Sequence, residues 1–172
     1  KEKTIKCLRN ITAQSLPADT KFDIYIVDGG STDGTVESVK TQFPHVNIKT
    51  VDGVFWNRGM IEAWKMAEEK KRNGCNYDYY LWLNDDTFIY KDCIASLLRV
   101  SLLKKNRTIV LGSTVDTQTR SKLTYGGRDK TGKVARPSSD DSPVPVIMMN
   151  GNIVLVPHSV YKKLGTLDPY YT

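Results

Sequence analysis

The chain has 172 residues, 40% of them hydrophobic and 26% charged, which is enough for one well-buried core and makes a single domain over residues 1–172 the default. No apolar run approaches the roughly 18 residues of a membrane span and no charged-then-apolar leader opens the chain, so a spanning segment is excluded and a soluble piece is expected. The net charge of +6 fits nucleic acid, an anionic membrane surface or a phosphorylated ligand without choosing among them.

Ile5, Leu8 and Ile11 share one helical face, predicting an amphipathic helix over Lys3–Leu16 that Pro17 ends. Phe22–Val27 is rich in β-formers and runs into D-G-G-S-T-D-G-T, a tight turn from which Ser31 or Thr32 caps a helix reaching Gln42. Gly29 and Gly30 let backbone come close to a ligand. Val46–Val51 alternates as a strand, Gly53–Asn57 is a loop, and Arg58–Arg72 is a helix with Met60, Ile61, Ala63, Trp64 and Ala67 inward, closed by Asn73-Gly74.

Tyr79–Leu83 is an apolar, aromatic run suited to a buried central strand. Lys91–Leu103 carries Ile94, Leu97, Leu98 and Leu102 at helical spacing, and Thr108–Leu111 is a short buried strand. Residues 114–145 dissolve into turn formers, a long excursion of functional or mobile type. Val146–Met149 and Asn152–Val156 return as strands around N-G-N, and His158–Leu164 is a last short helix stopped by Gly165. Strands alternating with helices imply a three-layer α/β/α sandwich with a largely parallel central sheet, whose ligands gather over the strand tips after Val27, Val51, Leu83 and Leu111.

The densest basic clusters, Lys70-Lys71-Arg72 and Lys104-Lys105 with Arg107, fall at predicted helix ends, where cations complement the macrodipole. No nucleic-acid module signature accompanies them. Cys7, Cys75 and Cys93 are odd in number and widely spaced, as for reduced thiols of a cytosolic protein. Because the chain opens at Lys1 directly on a helical pattern and closes at Thr172 after an aromatic cluster, a fragment of a longer protein is expected.

The run Tyr79–Tyr90 ends its strand in Asn84, Asp85 and Asp86. Adjacent carboxylates repel, so a buried pair needs a cation or a shared proton, whereas a solvated turn uses the same residues with no ligand. An EF-hand would need acidic or amide side chains where Gly30 and Thr32 follow Asp28, and a haloacid-type phosphatase would need a second carboxylate at Gly30. Neither pattern is met, and no G-x-G-x-x-G follows a predicted strand. Trp64 and Trp82 sit in apolar patterns, while Trp56, in a loop, is the better sugar-stacking candidate. His45 and His158 are isolated packing or surface residues.

Four stretches together carry a resemblance over nearly the whole chain: V-D-G-G-S-T-D-G-T at Val27–Thr35, F-W-N-R-G-M at Phe55–Met60, L-N-D-D-T at Leu83–Thr87 and N-G-N-I-V-L-V-P at Asn150–Pro157, followed by L-G-T-L-D-P-Y-Y. They resemble the family-2 inverting glycosyltransferases, which have the nucleotide-diphospho-sugar transferase (GT-A) fold. The resemblance implies that Asp28 contacts the donor base, with Gly29 standing where the family has Asp or Asn. It implies that Asn84-Asp85-Asp86 occupies the D-x-D position, with Asp86 as the ligand of Mn²⁺ or Mg²⁺, Asp85 near the donor sugar, and Asn84 replacing the first carboxylate. Gly30, Asn57, Arg58 and Gly59 are expected at the donor as well, the last three at a helix start where amides and a cation face an anion.

The family's central amino-terminal strand is absent from these residues, and its general base is expected beyond Thr172, Asp168 matching a different position. The implied partners are a nucleotide-diphospho-sugar donor and a glycan or lipid-linked acceptor, with no nucleic acid. The implied setting is the cytoplasm, at the inner face of the membrane, in polysaccharide or cell-envelope synthesis, with peripheral membrane association of the full-length enzyme. A sugar-nucleotide nucleotidylyltransferase and a catalytically impaired carbohydrate- or nucleotide-binding module, suggested by Asn84, remain the alternatives.

Overall fold

A computed structural model describes residues 1–72, 74, 76–136, 138, 140 and 142–171. Helix α1 spans Glu2–Thr12, with Ile5 and Leu8 one turn apart and both buried. It stops at Thr12, short of Leu16, because the following residues bond elsewhere. Ser15 N donates to Lys91 O at 2.7 Å, Gln14 Nε2 donates to Tyr90 O at 2.8 Å, and Gln14 Oε1 accepts from Ile94 N at 3.1 Å. Tertiary bonds, not Pro17, end the helix.

Strand β1 is Tyr25–Asp28, later than expected, and it takes Asp28 into the strand while leaving Phe22 exposed. Helix α2 is Thr35–Gln42. Asp33, and neither Ser31 nor Thr32, satisfies its start, Oδ1 accepting from Thr35 N at 3.1 Å and from Thr35 Oγ1 at 2.5 Å. Strand β2 is Asn47–Thr50 and α3 is Trp56–Arg72, so Trp56 and Asn57 stand in a first helical turn instead of a loop. Gly74 N bonds Lys71 O at 2.9 Å beyond it; Asn73 and Cys75 lie outside the described residues. Strand β3 is Tyr79–Leu83 and α4 is Cys93–Leu103. Ile94 and Leu97 are buried in α4, but Leu102 is 62% exposed in its last turn.

Strand β4 is Val110–Leu111, and the expected excursion contains a hairpin, β5 Thr114–Val115 with β6 Leu123–Tyr125. Its turn is closed by Asp116, whose carboxylate accepts from Thr119 N at 2.6 Å and Lys122 N at 3.0 Å. Val146–Met149 does not form a strand: Met148 makes an isolated bridge to Arg128 and Ile147 is exposed. Strand β7 is Ile153–Pro157 and α5 is His158–Leu164. Two residues of the basic cluster ending α3 are paired: Lys70 meets Asp23 at 3.0 Å and Lys71 lies 5.7 Å from the Tyr161 ring. Cys7 and Cys93 are free thiols.

The fold is α/β, but the described ladders form three small sheets that are mostly antiparallel. β1 pairs with β2 in parallel, Tyr25 opposite Asn47. β7 runs antiparallel between β3 and β4, Leu83 opposite Ile153 and Val110 opposite Leu155. A single, largely parallel sheet is therefore not found. The reason lies in the excursion after β4. It leaves from the carboxyl end of the strands, and β7 begins at that same end, so β7 must run back the other way.

Helices cover both faces. Trp64, Ala67 and Val160 of α3 and α5 pack on Tyr80, Trp82, Val154 and Val156. On the other face, Leu97 of α4 packs with Val110, Ile153 and Leu155, and α1 and α2 pack on Ile24, Ile26 and Ile48. β7 is paired on both edges and covered on both faces, which is why I-V-L-V is apolar without alternation.

β1 and β3 run the same way. Their starts are tied by Tyr25 Oη to Tyr77 Oη at 2.7 Å, and Tyr77 Oη donates to Asp23 at 2.6 Å. Their far ends both meet the start of α1, Lys1 N reaching Asp33 at 2.9 Å and Thr4 Oγ1 reaching Asp85 at 2.6 Å. Among the described residues no ladder joins these two strands. Between them lies a cavity of about 480 Å³ whose lining includes Ile24, Ile26, Leu81, Leu83, Leu8 and Trp64.

Candidate functional site

The tips of β1 and β3, the start of α3 and the turn before β7 form the candidate site. At the first tip, Asp28 is 6% exposed, and its Oδ2 accepts from Gly30 N at 3.0 Å and Ser31 N at 2.9 Å. Burial works against the charged form. The hydrogen bonds from Ser31 and from the Gly30 backbone outweigh it and hold the carboxyl below its ordinary value. Asp28 therefore shapes the loop that follows it. Gly30 has φ +102°, a conformation that favours glycine, and a Cβ there would also displace the Asp52 carboxylate, whose Oδ1 would stand 2.9 Å away.

At the second tip, Asp85 and Asp86 are exposed in a turn, and two residues of α1 reach them. Thr4 Oγ1 donates to Asp85 Oδ2 at 2.6 Å, and Lys3 Nζ lies 3.6 Å from Asp86 Oδ2. Beneath them, buried Cys7 donates its thiol to Asn84 O at 3.6 Å. Burial first, then the charges of Asp85 and Asp86, push that thiol up to about 12, so Cys7 is no nucleophile at neutral pH.

The Asn84 side chain is engaged at both of its polar atoms. Its Oδ1 accepts from Trp56 Nε1 at 2.6 Å and its Nδ2 donates to Asn152 Oδ1 at 3.4 Å, while its backbone N donates to Asn152 O at 3.1 Å. The N-G-N turn thus closes against the β3 tip. Asn57 Nδ2 donates to Asp168 O at 2.9 Å, which makes it a tether for the last loop. Arg58 is exposed and has no hydrogen-bond or ion-pair partner among the described residues. Gly59 N is used within the helix, bonded to Phe55 O at 2.9 Å, so that amide is not offered to an anion. Asp168 Oδ1 accepts from Tyr170 N at 2.9 Å, a turn role. Thr172 lies outside the described residues.

The structure brings Asn84 together with Trp56 and Asn152, and Asp85 and Asp86 together with Thr4 and Lys3. It leaves Asp28 bonded within its own loop. Sequence reasoning missed Thr4, Lys3, Asp52, Gly151 and Asn152 as parts of this surface, because each comes from an element whose neighbours across the sheet are set by tertiary packing. The one legible signal was N-G-N immediately before a wholly apolar strand. Among the described residues no group of three acidic, histidine or cysteine side chains is placed to hold a metal, and no helix is long and apolar enough to cross a membrane.

A family model described as Glycosyl transferase family 2 matches residues 1–151. Among solved structures, the chain is similar to residues 1–349 of TarS from S. aureus, with a TM-score of 0.54 at 14% identity, over 94% of this chain and 45% of that one. At that identity the likeness concerns the fold alone. The chain thus spans less than half the length of that structure. No curated protein matches.

Proposed function

The chain belongs to glycosyl transferase family 2, and from that membership we propose that it is the donor-binding core of an inverting, metal-dependent enzyme that moves a sugar from a nucleotide-diphospho-sugar to a glycan or lipid-linked acceptor. The observation that carries the reading is a juxtaposition at the strand tips. Two exposed carboxylates, Asp85 and Asp86, follow β3, and Asn84 beside them is bonded to Trp56, the first residue of α3, whose first turn also carries Arg58, without a partner among the described residues. Carboxylates suit a cation. A helix start with a free guanidinium suits the phosphates that cation would neutralise.

Asp86 fits a hard divalent ion. Its side chain is 51% exposed and its ion pair with the 73% exposed Lys3 is loose at 3.6 Å, so water and phosphate oxygens can complete a coordination sphere that takes few protein ligands. A bound Mg²⁺ or Mn²⁺ would supply charge neutralisation at the leaving diphosphate. Asp85, fixed by the Thr4 hydroxyl, would face the donor sugar, and Arg58 would meet a phosphate. Asp28 would accept from the base with the oxygen not used by its loop. The base that deprotonates the acceptor is assigned to residues following Thr172. Polysaccharide or cell-envelope assembly at the cytoplasmic face of the membrane is the proposed setting, resting on the family resemblance.

The parallel sheet expected from the sequence belongs to this proposal too. A strand lying in the cavity between β1 and β3 would join them into one sheet.

Nucleoside diphosphates are expected to bind about tenfold more tightly, a difference of about 1.4 kcal/mol, with Mn²⁺ or Mg²⁺ than with chelator. Asp86→Ala should remove that difference and leave binding in chelator unchanged. Calorimetry that finds the same affinity with and without metal, or a metal effect that survives in Asp86→Ala, would return Asp85 and Asp86 to the status of a solvated turn.

A further inference from the structure

The protein has three tryptophans, and they differ sharply in environment. Trp64 and Trp82 are 5% and 6% exposed, whereas Trp56 is 43% exposed. An exposed indole at the end of a helix would ordinarily sample several rotamers. Trp56 is instead held at two edges and backed by a third contact. Nε1 donates to Asn84 Oδ1 at 2.6 Å. Its benzo edge lies over Gly151, where a Cβ would come within 2.4 Å of Cζ2 and 2.7 Å of Cη2. Trp82 meets it edge to face, with centroids 6.4 Å apart at 76°.

A side chain at position 151 would collide with the ring, and Asn84 has a role that a carboxylate would not fill. An aspartate at position 84 would accept from Trp56 but not donate to Asn152, and it would place a third negative charge beside Asp85. A large aromatic surface that is fixed in one pose and still open to solvent is pre-organised for a ligand with an apolar face.

We propose that Trp56 is the sugar-stacking wall of the site, taking the C–H face of a hexopyranose ring, and that Asn84 is the residue that positions it. The inference rests on the glycosyl-transfer reading and names the surface that reads the sugar. A hexose reaches this wall as part of the nucleotide donor or as the acceptor, and the chemistry of stacking is shared. The site's polar groups adjoin the two ends of this contact in the chain: Asp85 and Asp86 follow Asn84, and Arg58 stands two residues after Trp56. Stacking would set the orientation of the ring while these groups act on its charged or hydroxylated edge.

Because the other two indoles are buried, quenching of tryptophan fluorescence by acrylamide reports on Trp56. The probes are UDP-glucose, GDP-glucose and dTDP-glucose for the donor, the three diphosphates without sugar, and methyl β-glucoside for the acceptor. Protection from acrylamide by a sugar nucleotide, but not by its diphosphate, assigns the wall to the donor. Protection by methyl glucoside assigns it to the acceptor. The ratio of glucose-bearing to glucose-free affinity, or the methyl glucoside affinity in the acceptor case, is expected to fall about three- to tenfold in Trp56→Ala and to recover in Trp56→Phe. Asn84→Ala should raise acrylamide quenching of the ligand-free protein at temperatures well below its melting transition, the mark of a freed ring in a folded chain. If no sugar protects Trp56, or if Trp56→Ala leaves the sugar-dependent affinity intact while the diphosphates still bind, the stacking assignment is overturned and the donor-site reading stands. Failure of every diphosphate to bind in calorimetry would overturn both.

Discussion

An apolar, β-branched strand of about five residues, joined to Lys1 by a short turn, is expected to stabilise the protein by roughly 3 kcal/mol, raising its melting temperature by about 6–12 °C at this chain length. β1 and β3 run in the same direction with no ladder between them among the described residues, and the cavity that separates them has apolar walls from both strands, α1 and α3. Each Val or Ile placed there gains about 1.5–3 kcal/mol from burial and loses about 1.5 kcal/mol to ordering, with new backbone hydrogen bonds on two edges adding to the surplus. The turn has the right place to start. α1 opens at the carboxyl ends of β1 and β3, so a parallel strand in the slot would finish beside Lys1, and a strand–helix–strand unit with α1 as its crossover would result. A control with proline at the middle position removes a ladder bond and should give back most of the gain. If both versions melt at the temperature of the unextended chain, the cavity is not a strand site.

Asp28→Ala should cost about 1–3 kcal/mol of stability, because Gly30 N and Ser31 N lose their common acceptor in a part-buried loop. Asp28→Asn should restore most of it, since an amide oxygen still accepts both bonds. Nucleotide affinity separates the two roles: if Asp28 also receives the donor base, affinity falls by roughly one to two decades in the asparagine variant even though its fold is sound. Thermal melts and calorimetry on the pair decide it, and an asparagine variant with unchanged affinity would make Asp28 a loop residue alone. The pH dependence has a definite sign. A carboxyl held below its ordinary 3.8 adds stability above that value and loses it as the pH falls through the folded value. The margin of the wild type over Asp28→Asn should therefore be full at pH 7 and shrink in acid below about pH 4.

Element types were largely legible in the sequence, and element ends were not. The face of α1 followed from the spacing of Ile5 and Leu8, yet its end was set by Gln14 and Ser15 bonding to the segment before α4. β7 was readable as a fully buried strand because nothing polar interrupts I-V-L-V, but its direction was not. Residue pattern says that a strand is covered on both faces and is silent about which way its neighbours run.

The same division holds at the site. Asn84, Asp85 and Asp86 were visible because turn residues after an apolar run mark a strand tip, and Asp28 and the N-G-N turn stood out for the same reason. These local signals, taken with the order of the four motifs, determined the family and the α/β class, since they depend on residues adjacent in the chain. Tertiary structure alone decided that Asn84 clasps Trp56 and Asn152, that Thr4 and Lys3 of α1 reach the carboxylate pair, and that Gly151 makes room for an indole ring. Those contacts join residues tens of positions apart, and no periodicity along the chain encodes them: β7, folding back between β3 and β4, brings the turn before it against the β3 tip, and the packing of α1 brings Lys3 and Thr4 to the carboxylates.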